Sequence, residues 1–171
     1  HRADRRGFVT DTLRLRPLAV DDADVMTSVL ADPSLYEFTG GEPPTRDDLV
    51  RRYAVQTRGR SADGSERWIN FVVTLGPERR PIGYVQATVP INGEPAEVAW
   101  VIGRPWQGHG YAARAAQLLL DDLARQGIDA AVAHIHPRHE SSKRIATRLG
   151  MTPTGVIVDG EIRWVGPTAP A

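Results

Sequence analysis

The chain has no cysteine among its 171 residues. Disulfides, thiolate metal sites and a cysteine nucleophile are thereby excluded, and the absence fits a reducing compartment. Neither charge sign is in excess, with Lys and Arg totalling 21 and Asp and Glu totalling 21. Polyanion-binding proteins are usually basic, so this balance argues against nucleic acid as the main partner. No apolar run reaches the roughly 18 residues that a membrane span needs, so no membrane partner is expected. The opening stretch His1 to Gly7 carries charge but no apolar segment behind it, unlike a secretory leader. A cytoplasmic protein, monomer or homodimer, is the expectation. Aromatic residues are only 6% of the chain, which favours packing as the role of most of them.

What is present is an ordinary globular composition, 41% hydrophobic and 25% charged. The length suits one domain with a substantial core. We expect it to span 12–165, with flexible termini at 1–11 and 166–171. Thr12–Arg16 alternates polar and apolar residues, as a half-buried strand does. Asp21 or Asp22 is placed to cap a helix running to about Leu30, with Ala23, Met26, Val29 and Leu30 on one face. Residues 34–44 look like a loop. Thr45, with an acid three residues on, opens a second helix to about Thr57. Arg67–Leu75 and Pro81–Val89 are rich in β-branched and aromatic residues and suggest an antiparallel hairpin. A turn through Asn92-Gly93 leads to a strand at Ala96–Ile102.

A helix over about Gly110–Arg125 follows, burying Ala112, Ala115, Ala116, Leu119 and Leu123. Asp129–His136 is a strand, parallel to Ala96–Ile102 if the helix between them is a right-handed crossover. A short helix at about Glu140–Leu149 and a hairpin turning at Asp159-Gly160 complete the order. The fold class is α/β, with a mixed, mostly antiparallel sheet of about seven strands, one parallel crossover and helices on both faces.

The densest chemical signal runs from Val98 to Gln117. A short apolar strand ends in Gly103-Arg104-Pro105. Then Gln107-Gly108-His109-Gly110-Tyr111-Ala112 leads straight into an alanine-rich helix. Glycines let a backbone approach a ligand closely and take positive φ. The free N–H groups of a helix's first turn suit a phosphate or pyrophosphate. Gly108-x-Gly110-x-x-Ala113 also matches a loose dinucleotide fingerprint. That fingerprint needs its glycines directly after the strand and opens a doubly wound parallel sheet, whereas here about a hundred residues of helices and hairpins come first. A third possibility is that the glycines merely tighten a strand-to-helix corner.

Gln107-x-x-Gly110-x-Ala112 resembles the Q/R-x-x-G-x-G/A motif of the GNAT N-acetyltransferase superfamily. Ala96 through Met151 is similar to the family's strand 4, helix 3, strand 5 and helix 4. Thr12-Leu-Arg-Leu-Arg-Pro-Leu18 resembles the start of the RimJ/RimL-like branch, which acetylates ribosomal-protein N-termini among other amines. His136 to Arg144 and Arg148-Leu-Gly-Met151 resemble that branch's P-x-N-x-x-S…K-L-G-F/M signature. The resemblance implies an acetyl-CoA-dependent transfer to a primary amine by direct attack, the amine belonging to a protein N-terminus or a small molecule. It implies that the main chain of Gln107, Gly108, His109, Gly110, Tyr111 and Ala112 holds the CoA pyrophosphate. The backbone of Trp100, Val101 and Ile102 would bond the pantetheine arm where two parallel strands splay.

The resemblance also puts Ser142 near the thioester sulfur, as an acid or sulfur ligand; a first-turn serine satisfying the backbone is the alternative. A general base helps, because few lysine-like amines are neutral at pH 7. Glu97 matches a recurrent acidic position of the branch, and His134 is the preferred histidine, since Pro137 leaves His136 at a strand end. His139 replaces the family's asparagine at the pantetheine and can still donate one hydrogen bond. A zinc site from His134, His136 and His139 lacks the usual ligand spacings, and no metal is expected. At the acceptor end, residues 31–50 hold Asp32, Glu37, Glu42, Asp47 and Asp48 against Arg46 alone. Such a rim suits a cationic amine, although Asp47 and Asp48 also belong in a helix first turn. Tyr36, Phe38, Trp68 and Trp106 either line a pocket or pack. The remaining alternatives are a non-catalytic CoA-binding sensor module and a dinucleotide-binding oxidoreductase.

Overall fold

The computed structural model describes residues 12–170. Seven strands form one sheet: β1 (Leu13–Pro17), β2 (Glu66–Leu75), β3 (Arg80–Pro90), β4 (Ala96–Ile102), β5 (Ala130–Ile135), β6 (Thr152–Val158) and β7 (Glu161–Pro167). Their order is β1-β2-β3-β4-β5-β7-β6. Among the described residues the helices are α1 (Ala23–Val29), α2 (Arg46–Gln56), α3 (Tyr111–Arg125) and α4 (Glu140–Arg148). β4 and β5 are the one parallel pair; every other neighbouring pair is antiparallel. The mixed sheet with a single crossover is therefore the one expected, and it lacks the doubly wound parallel core that a dinucleotide fingerprint requires. No helix among the described residues is long and apolar enough to cross a membrane.

The sheet separates two cores. Alternation along β4 sends Ala96, Val98 and Ile102 to one face, against α3 and α4. Leu119, Leu120 and Leu123 of α3 fill that face and are essentially inaccessible to solvent. On the other face Ala23, Met26, Val29 and Leu30 of the α1 segment meet Leu49 and Tyr53 of α2 over Val72. The apolar stripes expected from sequence are buried except at Ala112, which is half-buried at the cleft while Ala113 turns inward.

Two local expectations change. Asp22 does not cap α1 with its side chain. Its carboxylate accepts the Ala19 N–H at 2.8 Å and two guanidinium bonds from Arg16, closing a 3-10 turn at Val20–Asp22 that precedes α1. A buried carboxylate needs such partners, and a bidentate arginine supplies them. Residues 166–168 are held by the sheet rather than free in a flexible tail. β7 runs on to Pro167, and Thr168 is buried with its N–H on the Asp129 carbonyl. Pairing with Ala130 and Ala131 of β5 fixes this stretch, which composition alone does not reveal. The expectation for residues 1–11 lies outside the described residues. Thr45 caps α2 as expected, through reciprocal bonds with Asp48 of 3.1 and 3.0 Å. Asp159 and Gly160, both at positive φ, turn the last hairpin.

Leu118 and Leu119 give a matched test of this packing, one 37% exposed and the other fully buried. Leu119→Ala is expected to cost about 2–5 kcal/mol of stability. Leu118→Ala is expected to stay within about 1 kcal/mol, as surface substitutions do. Denaturant unfolding of the two variants measures the difference.

Candidate functional site

The parallel contact between β4 and β5 is short. Only Ala96 pairs with Ala131 and Glu97 with Val132, after which the strands part. Beyond that point β4 keeps β3 on its other side as far as Ile102, and β5 keeps β7 as far as Ile135. Val98–Ile102 therefore turns an edge without a strand partner toward the gap. Backbone groups on such an edge seek partners, and an extended ligand can supply them as an added strand.

A cleft of about 620 Å3 opens along this edge. Trp100, Val101 and Ile102 of β4 form one wall, and the Gln107–Ala113 turn and α3 start form its end. Gly108 and Gly110 have φ of 85° and 80°, a region that suits glycine. A side chain at Gly108 would point into open space, so the cradle is empty above it. Gly110 occupies the α3 N-cap and offers no side-chain cap. The N–H groups of the first helical turn, which have no intrahelical acceptor, thus face the cleft. The Gln107 side chain donates to the Ile102 carbonyl at 3.0 Å, which ties the turn to the strand end. His109 does not line the cleft; its ring lies 5.5 Å from that of Tyr111.

Arg144 and Arg148 of α4 also line the cleft, and Arg148 reaches 3.9 Å from where a Gly110 side chain would begin. Neither has an ion-pair partner among the described residues, whereas Arg104 lies 3.9 Å from Asp32. The i, i+4 spacing of Arg144 and Arg148 puts both on one helix face, a signal that the sequence carries and that the motifs alone pass over. Glycine turn, helix start and two free guanidiniums fit the doubly charged end of an anionic cofactor.

Farther along, Trp100 Nε1 donates to Ser142 Oγ at 3.3 Å, and His139 Nε2 lies 3.4 Å from the same oxygen. Ser142 is buried and engages these side chains rather than a backbone group. An indole nitrogen can only donate, so the Ser142 hydroxyl keeps its own hydrogen for another acceptor. His139 stacks on Phe38, with centroids 4.6 Å apart and planes at 20°. Burial holds the His139 imidazolium below the usual histidine range, with nearby Glu37 opposing that shift. The ring is therefore neutral at neutral pH.

Glu97 and His134 come together as well, but on the opposite sheet face, and neither lines the cleft. Their side chains alternate with the core-facing Ala96, Val98, Ala133 and Ile135. His134 Nδ1 lies 2.9 Å from Glu97 Oε2, and Arg163 donates to His134 Nε2 at 3.2 Å. Since Nε2 accepts, Nδ1 carries the hydrogen and donates it to Glu97. Arg163 was not singled out from sequence, because it comes from β7, far along the chain. His136 Nδ1 accepts from the Arg138 N–H at 3.1 Å, and its ring lies 5.1 Å from that of Phe38, on which His139 also stacks.

The acidic rim is largely spent. Asp32 caps the 3-10 turn at Ser34, Asp47 sits 3.7 Å from Arg46, and Asp48 closes the α2 cap and bonds Arg51. Hydrogen bonds from Ser34 and Thr45 hold Asp32 and Asp48 below the usual carboxylate range. Of the four aromatics, Phe38 and Trp106 line the cleft. Tyr36 donates to the Leu30 carbonyl at 2.9 Å, and Trp68 donates to Glu66 at 3.2 Å.

A family model described as an acetyltransferase (GNAT) domain matches residues 12–152. The chain is similar to an uncharacterized N-acetyltransferase p20 of Bacillus licheniformis, 24% identical over 153 residues, covering 89% of this chain and 85% of that one. An acetyltransferase of Thermus thermophilus has a similar structure, with a TM-score of 0.73 and 24% identity over 92% of this chain and 98% of that one. So does RimL, a ribosomal L7/L12 alpha-N-protein acetyltransferase solved in complex with coenzyme A. Its TM-score is 0.74 at 16% identity, covering 93% of this chain and 96% of that one. At these identities the structural likeness speaks for the fold.

The His134 geometry has a spectroscopic consequence. Nitrogen NMR at neutral pH should show Nδ1 protonated and Nε2 as an unprotonated acceptor. A protonated Nε2 would contradict the Arg163 bond.

Proposed function

The chain belongs to the acetyltransferase (GNAT) domain family, and from that premise we propose that it moves an acetyl group from acetyl-CoA to a primary amine by direct attack. The observation that carries this reading is the glycine turn and α3 start set at the end of the unpartnered β4 edge. Acetyl-CoA, when bound, supplies the activated acyl thioester. The main chain of Gln107 to Ala112 holds the pyrophosphate, with Arg144 and Arg148 balancing its charge. The backbone of Trp100 to Ile102 bonds the pantetheine arm, and a backbone N–H on that edge polarises the thioester carbonyl. His139, in the place of the family's asparagine, stacks on Phe38 and closes the cleft beside Ser142.

Protons move on two sides of the sheet. Glu97 accepts the amine proton, directly or through water. His134 cannot easily do so, because its acceptor nitrogen is taken by Arg163; it positions the Glu97 carboxylate instead. On the other face Ser142, whose oxygen already accepts from Trp100, donates its hydrogen toward the departing sulfur. That hydrogen bond stabilises the departing thiolate, which takes its proton from solvent while Glu97 passes the amine proton to solvent; the neutral His139 beside Ser142 orients the hydroxyl. Attack from one face and departure on the other keep base and acid apart. Such a reaction suits a cytoplasmic setting.

The test is to mix the protein with acetyl-CoA and a panel of amines and follow thiol release. Release with at least one amine is expected. Tight CoA binding with no turnover on any amine would indicate a binding module instead. Ser142→Ala should lower kcat by about 10²-fold or more and change CoA affinity little; a fall in affinity alone would make Ser142 a binding residue. Gly110→Glu should abolish CoA binding in calorimetry, since it puts a charged side chain into the pyrophosphate seat. Unchanged affinity in a folded variant would defeat the assignment of the turn.

A further inference from the structure

On the α1/α2 side of the sheet lies a second cavity, of about 180 Å3, that the acetyl-donor site does not use. Its polar lining comes from Arg52, Tyr53 and Gln56 of α2, Asn70 of β2, and Tyr84 and Gln86 of β3. Apolar side chains supply the rest. None of these six side chains hydrogen-bonds or pairs with another described residue. Tyr53 is only 5% exposed, and its hydroxyl remains open to the cavity rather than sealed and orphaned. Arg52 is exposed at the mouth, Tyr53 is buried, and Gln56, Asn70, Tyr84 and Gln86 are half-buried; buried and half-buried polar groups left without partners are uncommon in a folded protein, and a convergent set of them is what a ligand site presents.

The position relates this cavity to the donor cleft. Tyr84 stands opposite Val101 in the β3–β4 register, and Gln86 stands opposite Ala99. Val101 itself lines the donor cleft. The cavity is thus about one strand spacing, ~4.8 Å, from the unpartnered edge of β4. It opens on the sheet face that carries Glu97, the face from which the amine arrives. The small alanine at 99 leaves the floor between Gln86 and the β4–β5 gap clear.

The chemistry of the lining is one-sided. Arg52 is the only charged residue in it. Burial pushes the Tyr53 and Tyr84 hydroxyls up from the usual phenol range, so both stay protonated as donors. Asp22, the nearest buried acid, is committed to Arg16 and Ala19. One guanidinium with phenolic and amide donors matches a single carboxylate.

We propose that this cavity binds the carboxylate of the acceptor, so that the acceptor is a small amino acid-type molecule whose amine lies at the β4–β5 gap. The amine end of this inference rests on the acetyl-transfer reading; the carboxylate end stands on the cavity alone. Arg52 is then a specificity residue, reaching the acceptor and leaving the donor untouched.

The experiment compares matched pairs that differ by the carboxylate: L-lysine with cadaverine, L-arginine with agmatine, L-histidine with histamine. Binding to the CoA-loaded protein is measured by calorimetry, and thiol release from acetyl-CoA is measured separately. For at least one pair the carboxylate-bearing member should bind ten-fold or more tighter. Arg52→Ala, on the exposed side of a helix and compatible with it, should bring that ratio to about one, and Arg52→Lys should restore part of it. Equal binding within every pair, no binding of any member, or a ratio that survives Arg52→Ala would overturn the proposal. Carboxylate-dependent binding without thiol release would leave the cavity assigned and sink the transfer reaction. Thiol release without carboxylate preference would do the reverse.

Discussion

Everything in the candidate site depends on where the β4–β5 ladder stops. Two residue pairs join the halves of the sheet, and each strand then follows its outer neighbour. An edge opened inside a sheet leaves backbone donors and acceptors facing a gap, and their desolvation is tolerable only with water or a ligand in place. The gap is held open rather than collapsed because α4 plugs its α3 side. The Trp100–Ser142 bond joins the strand to that helix directly. The glycine turn follows because β4 ends at this gap, and the Gln107 bond to Ile102 sets the turn relative to the strand.

Charge is arranged by the same geometry. The chain has no net charge, yet the cleft end is cationic, because Arg144 and Arg148 face it without ion-pair partners, while Glu37 is the acid that lines the cleft, on the Phe38 side. Asp32, Asp47 and Asp48 serve caps and local ion pairs. Such exposed pairs contribute little stability. Their effect is to offset part of the negative charge of the rim, and Glu37 and Glu42 keep theirs without an ion-pair partner among the described residues.

How much was legible follows from how far apart the partners lie in the chain. β4 and the start of α3 are contiguous, and glycines at 108 and 110 advertise positive φ, so the donor seat could be read directly. The apolar stripes of α1 and α3 and the capping box at Thr45 are local patterns too. Asp22 was misjudged because its partners are the Ala19 N–H and Arg16, upstream of the helix, and a cap was expected downstream. The order of β7 between β5 and β6 is a long-range choice, and with it went the fate of residues 166–168 and the Arg163 bond to His134. Glu97 and His134 were each suspected singly. That they meet, and that Arg163 fixes which nitrogen holds the proton, needs the register of three strands.

The donor and acceptor sides differ in kind as well as in legibility. The contacts proposed for the donor are chiefly main-chain groups: a strand edge, a turn and a helix start. Such a seat requires little of side-chain identity beyond glycine where φ is positive, so it leaves a compact mark on the sequence. The cavity proposed for the acceptor presents polar side chains at 52, 53, 56, 70, 84 and 86, drawn from three elements. The sheet lies between the two, pierced only at the gap. Substitutions can therefore redraw the acceptor cavity without disturbing the turn, the β4 edge or the Trp100–Ser142 contact. The same separation leaves the Glu97 carboxylate exposed to solvent and Ser142 buried.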